Sequence, residues 1–272
     1  MGSLAALLAT LIGVFITPDG IVVGADTSIS NRAGQLSARQ KYCVTGPRAV
    51  ATLQGVYYLQ DLETKTTAAL YDRFQQWCMQ VDKEPAPARL RDQAIAIADT
   101  LRYALEEFLA QVPAAEVVRT YASRPVIARV AVSGYDERGP SSVVVGLGVA
   151  TDVKTTKWET QVRDLTRLSF TQCGVRFHGQ EVVAEALRAR TDARIPSRER
   201  QQPDVTRLTA LMNGSCAGVS TGSASAMFTA AARLTVALGN QFGIPSGSVS
   251  LPLDIVMIPA SGKIEVTRIT SW

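Results

Sequence analysis

From Thr10 to Gly55 the apolar residues come in short runs separated by turn residues, the pattern of β-hairpins. Thr10 to Ile16 reads as a buried strand, Pro18-Asp19-Gly20 as a turn and Ile21 to Ala25 as the return strand, so a first hairpin ends at Asp26. Ser28 to Arg39 is polar and reads as a loop. Lys41 to Val44 and Ala49 to Leu53 form a second strand pair around Gly46-Pro47, closed by Gln54-Gly55. At Tyr58 the period changes. Leu59, Leu62, Thr66, Leu70, Phe74 and Trp77 recur at helical steps up to Val81. Pro85 and Pro87 interrupt, and a second amphipathic helix is predicted over about Ala88 to Leu109.

The second half repeats the scheme. Ile127 to Tyr135 and Ser142 to Val149 are predicted strands around a turn at 136–140, and Thr160 to Thr171 is a further strand leading to Gly174. Helices are predicted at about Gly179 to Arg190 and Ala224 to Gln241. Two closing strands, Val249 to Ile258 and Lys263 to Arg268, pair across Ala260-Ser261-Gly262. Strands and helix pairs segregated in this order predict an α+β chain rather than a βαβ alternation. Two antiparallel sheets face to face, with a helix pair outside each, would bury all these faces as a four-layer αββα sandwich.

Composition narrows the function more than the fold. The chain has 272 residues, enough for one large domain, with 46% hydrophobic and 19% charged residues. A net charge of +4 with scattered basic residues does not make a nucleic-acid footprint, and the Arg188 to Arg200 segment reads as a solvated surface. Cys43, Cys78, Cys173 and Cys216 lie far apart without CxxC spacing, which excludes a zinc ribbon and suggests no disulfide framework. His178 is the only histidine, so a His-dependent triad or metal site would have to be built around it; a partly buried structural role is expected. No apolar run is long enough to span a bilayer. Leu4 to Ile16 has about the length of a signal-peptide core, but no Lys or Arg precedes it. It reads as a short leader followed by a strand, in a cytoplasmic protein, with export as the alternative.

One constellation carries chemistry. The run from Thr10 to Asp26 resembles the opening of proteasome-type β subunits, in which a catalytic threonine starts a strand that leads through a glycine turn to an Ala-Asp pair. Lys41 and Gly55 fall at matching steps beyond, and Pro245-Ser246-Gly247 resembles the Ser-Gly before that family's late strand. The chain thus resembles a divergent bacterial-type member of the N-terminal-nucleophile (Ntn) hydrolase family. The resemblance implies a leader or propeptide at residues 1–9, a single Ntn-hydrolase-like domain over 10–272 and a threonine-type peptidase acting on peptides. Thr10 would be nucleophile and, through its α-amino group, base. Lys41 would lower the pKa of both groups, Asp26 would hold Lys41, and the Gly55 backbone N–H would face the oxyanion. No metal or organic cofactor is called for, and a homo-oligomer is implied, with no nucleic acid and no membrane.

The sequence also departs from that pattern. Ala9, not Gly, precedes Thr10; Val175 and Gly243 stand where accessory polar residues are expected; Ser28 replaces an arginine. Ser223 is either the displaced accessory serine or a helix N-cap. Two other functions therefore remain open, a noncatalytic ring subunit and an amidase acting on a small acyl amide.

Overall fold

A computed structural model describes residues 4–8, 11–30, 36–61, 67–81, 88–122, 126–137, 139–169, 173–179, 182–189, 192–243 and 249–272. These residues form two compact units. The first comprises Met1–Leu8, Tyr42–Val132 and Ser142–Leu168; the second comprises Ala9–Lys41, Ser133–Ser141 and Ser169–Trp272. Both contain an antiparallel sheet with helices, so the chain is α+β as expected.

In chain order the elements are β1 (Leu4–Leu8), β2 (Leu11–Thr17), β3 (Gly20–Asp26), β4 (Ser28–Ser30), β5 (Leu36–Ala38), β6 (Tyr42–Gly46), β7 (Ala49–Asp61) and β8 (Thr67–Ala69). Helices α1 (Leu70–Val81), α2 (Leu90–Leu109) and α3 (Ala114–Tyr121) follow, then β9 (Val126–Asp136), β10 (Gly139–Asp152), β11 (Lys157–Ser169) and β12 (Gly174–Gly179). The remainder is α4 (Val182–Ala189), α5 (Ser197–Arg200), α6 (Pro203–Met212), α7 (Thr221–Leu238), a 3-10 turn (Gly239–Phe242), β13 (Leu253–Pro259) and β14 (Glu265–Ile269).

The first unit is built on a sheet of order β1-β7-β9-β10-β11, with β6 and β8 also paired to β7. Its helical face follows from spacing: Leu90, Ala94, Ile97, Leu101, Leu105 and Phe108 of α2 recur every three or four residues and all are buried. Gln93 on the same face is buried too, and accepts a 2.7 Å hydrogen bond from the Thr45 hydroxyl. The helix expected from Tyr58 begins only at Leu70. Val56, Tyr57, Tyr58 and Leu59 instead continue β7, because β-branched and aromatic residues suit a strand that pairs on both sides, with β1 (Ala6↔Leu59) and β8 (Tyr58↔Ala69).

In the second unit the sheet order is β12-β2-β3-β13-β14. Every residue of β2 and β3 is buried. Helix α7 lies on them through Phe228, and this explains the two glycines. A Cβ on Gly24 would lie 2.2 Å from Phe228 Cδ1, and one on Gly13 2.8 Å from Cδ2. The N-terminus of α7 is closed twice. Ser220 and Ser223 form a capping box, so Ser223 sits at the third helical position while Ser220 is the N-cap. Asp19, in the β2–β3 turn, accepts hydrogen bonds from the Thr221 N–H (3.0 Å) and hydroxyl (3.1 Å).

Several expectations need correction. All four cysteines are paired, Cys43 with Cys78 and Cys173 with Cys216, each with Cα atoms 5.8 Å apart. Packing of β6 near α1, and of the segment before β12 near the one before α7, brings together partners 35 and 43 residues apart. The expected loop after Asp26 contains the β4–β5 hairpin. Between α4 and α7 the described residues form α5 and α6, and α6 packs on α7 and β12. Leu4–Leu8 forms β1, which leaves the expected leader at residues 1–9 neither supported nor overturned. Among the described residues no helix is long and apolar enough to cross a membrane.

Candidate active site

Asp26 ends β3, where it stands in register with Leu253 of β13. Thr27 then leaves the sheet, held by two hydrogen bonds to the Pro252 carbonyl, from its N–H at 3.2 Å and its hydroxyl at 2.9 Å. The β4–β5 hairpin reverses the chain with Ser28 opposite Ala38, and the Arg39 N–H closes it on the Thr27 carbonyl at 2.7 Å. This return delivers Lys41 to Asp26. The Lys41 ammonium donates to both carboxylate oxygens, at 3.2 Å to Oδ1 and 3.1 Å to Oδ2, and both side chains are 0% exposed.

A second donor adds a third hydrogen bond. The Leu11 N–H, at the start of β2, donates to Asp26 Oδ1 at 2.6 Å. One buried carboxylate thus gathers the lysine and the first described amide after position 10. Burial pushes the Lys41 pKa down, and the attraction and hydrogen bonds of Asp26 only partly oppose this, leaving the ammonium below the ordinary lysine value. Such a group offers a fixed positive field and an acidified proton donor in a low-dielectric setting.

The predicted residues therefore fare differently. Asp26 and Lys41 are brought together. Thr10 and the Pro245-Ser246-Gly247 motif lie outside the described residues. Gly55 belongs to β7 of the first unit. Its φ of +95° and a virtual Cβ 2.5 Å from the Ile127 carbonyl oxygen leave room only for glycine. Beside it the Gln54 amide is buried, with neither polar atom hydrogen-bonded among the described residues. His178 is buried in β12 opposite Ile12, in keeping with a structural role. Among the described residues no cluster of three His, Cys, Asp or Glu side chains is placed to hold a metal ion. The Leu11 amide was not foreseen, since a backbone donor has no side-chain signature; the polar residues Ser28 and Ser30, facing Ala38 and Leu36, were the only trace of the hairpin that delivers Lys41.

No protein-family model matches the chain, and no curated protein matches its sequence. Its fold is nevertheless that of solved structures. The Anbu complex from Pseudomonas aeruginosa, solved as a helical assembly, aligns with a TM-score of 0.54 and 12% identity over 96% of this chain and 87% of that one. A Gly-1 mutant of Anbu from Hyphomicrobium sp. strain MC1 gives 0.52 and 15%, again over 96% and 87%. Anbu from Yersinia bercovieri, described as the ancestral beta-subunit, gives 0.50 and 12% over the same shares. Likeness at this identity defines a class of fold, the proteasome-like fold that Anbu shares. It also corrects the resemblance drawn from the sequence: these similar structures are Anbu, a family distinct from the proteasome β subunits. The Thr-Asp-Lys-Gly spacing is too sparse a pattern to separate the two.

Proposed function

We propose that the chain is a threonine-type amidohydrolase with an N-terminal nucleophile, a proteasome-like peptidase that uses Thr10 once residues 1–9 are removed. The observation that carries this reading is the buried Asp26–Lys41 pair with the Leu11 N–H on the same carboxylate, because Leu11 N is the atom bonded to residue 10. In the proposed reaction the Thr10 hydroxyl oxygen attacks a substrate carbonyl carbon while its proton passes to the freed α-amino group. Lys41, held by Asp26, keeps that amine weakly basic and favours the developing alkoxide. The Gly55 N–H is assigned to the tetrahedral oxyanion. Collapse breaks the C–N bond, the leaving amine takes the proton, and water then hydrolyses the Thr10 ester. The four-layer αββα stacking and a homo-oligomer belong to the same reading; the helical assembly known for Anbu supports the latter.

A second reading has its own support. Leu4–Leu8 pairs with β7 from Leu4↔Asp61 to Leu8↔Val56, so the proposed leader is also a sheet strand. That suits a noncatalytic ring subunit that keeps its N-terminus. For localisation, two disulfides favour an oxidising compartment over the cytoplasm.

Intact mass of the full-length chain and of Thr10→Ala separates the readings. The peptidase reading expects a species starting at Thr10 that is missing from the variant. An uncleaved chain in both would leave Thr10 without a free amine and sink it in favour of the ring subunit.

A further inference from the structure

We propose that the outer edge of β11 is a self-complementary interface, at which a second copy of this chain adds its own β11 antiparallel across a two-fold axis at Gln161. This names the surface for the homo-oligomer of the preceding reading and needs no catalysis. β11 is 13 residues long and is the last strand of its sheet. None of its residues from Lys157 to Arg167 is buried, and no strand covers its outer edge among the described residues. A long open edge of this kind is a template for strand addition unless its charges forbid it.

Of the two-fold registers with an axis from Glu159 to Leu165, the charges of β11 forbid all but one; axes nearer either end, such as Trp158 or Thr166, also avoid like charges but pair a shorter stretch of the strand. In an antiparallel pair related by a two-fold axis, the residue on the axis faces its own copy, and residues equidistant from it face each other. An axis at Glu159 sets Glu159 against Glu159. At Thr160 it sets Lys157 against Arg163, at Val162 Lys157 against Arg167, and at Leu165 Arg163 against Arg167. Axes at Arg163 and Asp164 oppose those residues to themselves. Like charges directly opposite destabilise a strand pair. With the axis at Gln161 no like charges meet. Glu159 then faces Arg163 twice by symmetry, Lys157 faces Leu165, Trp158 faces Asp164 and Thr160 faces Val162. Exclusion of the alternatives is how a specific register is set.

The side chains needed for this are on the surface and already ordered in a row. Gln161 donates to Glu159, and Arg163 donates to Gln161, along one face of the strand. Next in that row, Leu165 lies over Gly146 of β10, where a Cβ would come within 2.8 Å of its Cδ1. On the opposite face Asp164 and Thr160 are tied to Arg91 and Glu106 of α2, which fixes the strand's rotation.

Sedimentation of the full chain, with charge reversals at these exposed positions, tests the proposal. Glu159→Arg and Arg163→Glu should each weaken self-association about tenfold or more. The double swap, which restores opposite charges, should return it to nearly the original strength. Gln161→Cys should give a disulfide-linked dimer joined at that position. An oligomer indifferent to both reversals would place the interface elsewhere and overturn the β11 edge while leaving the homo-oligomer standing. A chain monomeric at every concentration would overturn both.

Discussion

Burying Asp26 and Lys41 together takes two charges out of water, a loss that their mutual hydrogen bonds and the Leu11 N–H offset. Removing one partner therefore costs more than removing both. Lys41→Ala strands a buried carboxylate and should lower stability by about 3–5 kcal/mol in urea unfolding, whereas Asp26→Asn with Lys41→Met should recover most of it. A double variant as unstable as the single one would mean that the pair is not what balances the site. The two residues were named from the sequence because a resemblance in spacing singles out side chains. The reason they meet was not readable: it lies in backbone hydrogen bonds of Thr27 and Arg39, which any residue except proline could make at either position.

Elements were legible where their period was unambiguous. β2 and β3 follow from continuous apolar runs bounded by turn residues, and α2 from helical spacing. β7 runs past the expected strand end at Leu53 and into the helix expected from Tyr58, because Leu59, Leu62 and Thr66 fit helical steps while Val56 to Leu59 also suit a strand, and only pairing with β1 and β8 decides. The turn between β2 and β3 was read for its Pro and Gly, yet its Asp19 does the tertiary work by capping α7. Burial pushes the Asp19 pKa up, but hydrogen bonds from Thr17 and Thr221 outweigh it and leave it below the ordinary aspartate value. A carboxylate with a depressed folded pKa adds stability above its unfolded pKa, and that contribution fades as pH falls through the folded value. Asp19→Ala should accordingly cost about 1 kcal/mol at neutral pH and progressively less below pH ~4. Chemical unfolding of both chains across that range checks it, and a penalty that does not change with pH would mean that the carboxylate charge is not involved.

At the scale of the molecule, each unit carries one disulfide, and this was the feature least visible in the sequence. Four cysteines admit three pairings, and separations of 35 and 43 residues resemble no motif. Only the approach of β6 to α1, and of the residues flanking β12 and α7, selects Cys43–Cys78 and Cys173–Cys216. Closing loops of these lengths restricts the unfolded chain by about 4 kcal/mol for each bond in the chain-entropy account, comparable with the net stability of many domains. Reduction should therefore lower the unfolding temperature sharply, and Cys43→Ser with Cys78→Ser should cost about as much as Cys173→Ser with Cys216→Ser. Alkylation of the unfolded, unreduced chain before intact-mass measurement should label no thiol. Each bond forms by passing two electrons to a dithiol–disulfide oxidoreductase, so protein made in a reducing cytosol should arrive with its thiols labelled and its stability diminished. If the reduced chain proved as stable as the oxidised one, the disulfides would be incidental to the fold, and the argument for an oxidising compartment would fail with them.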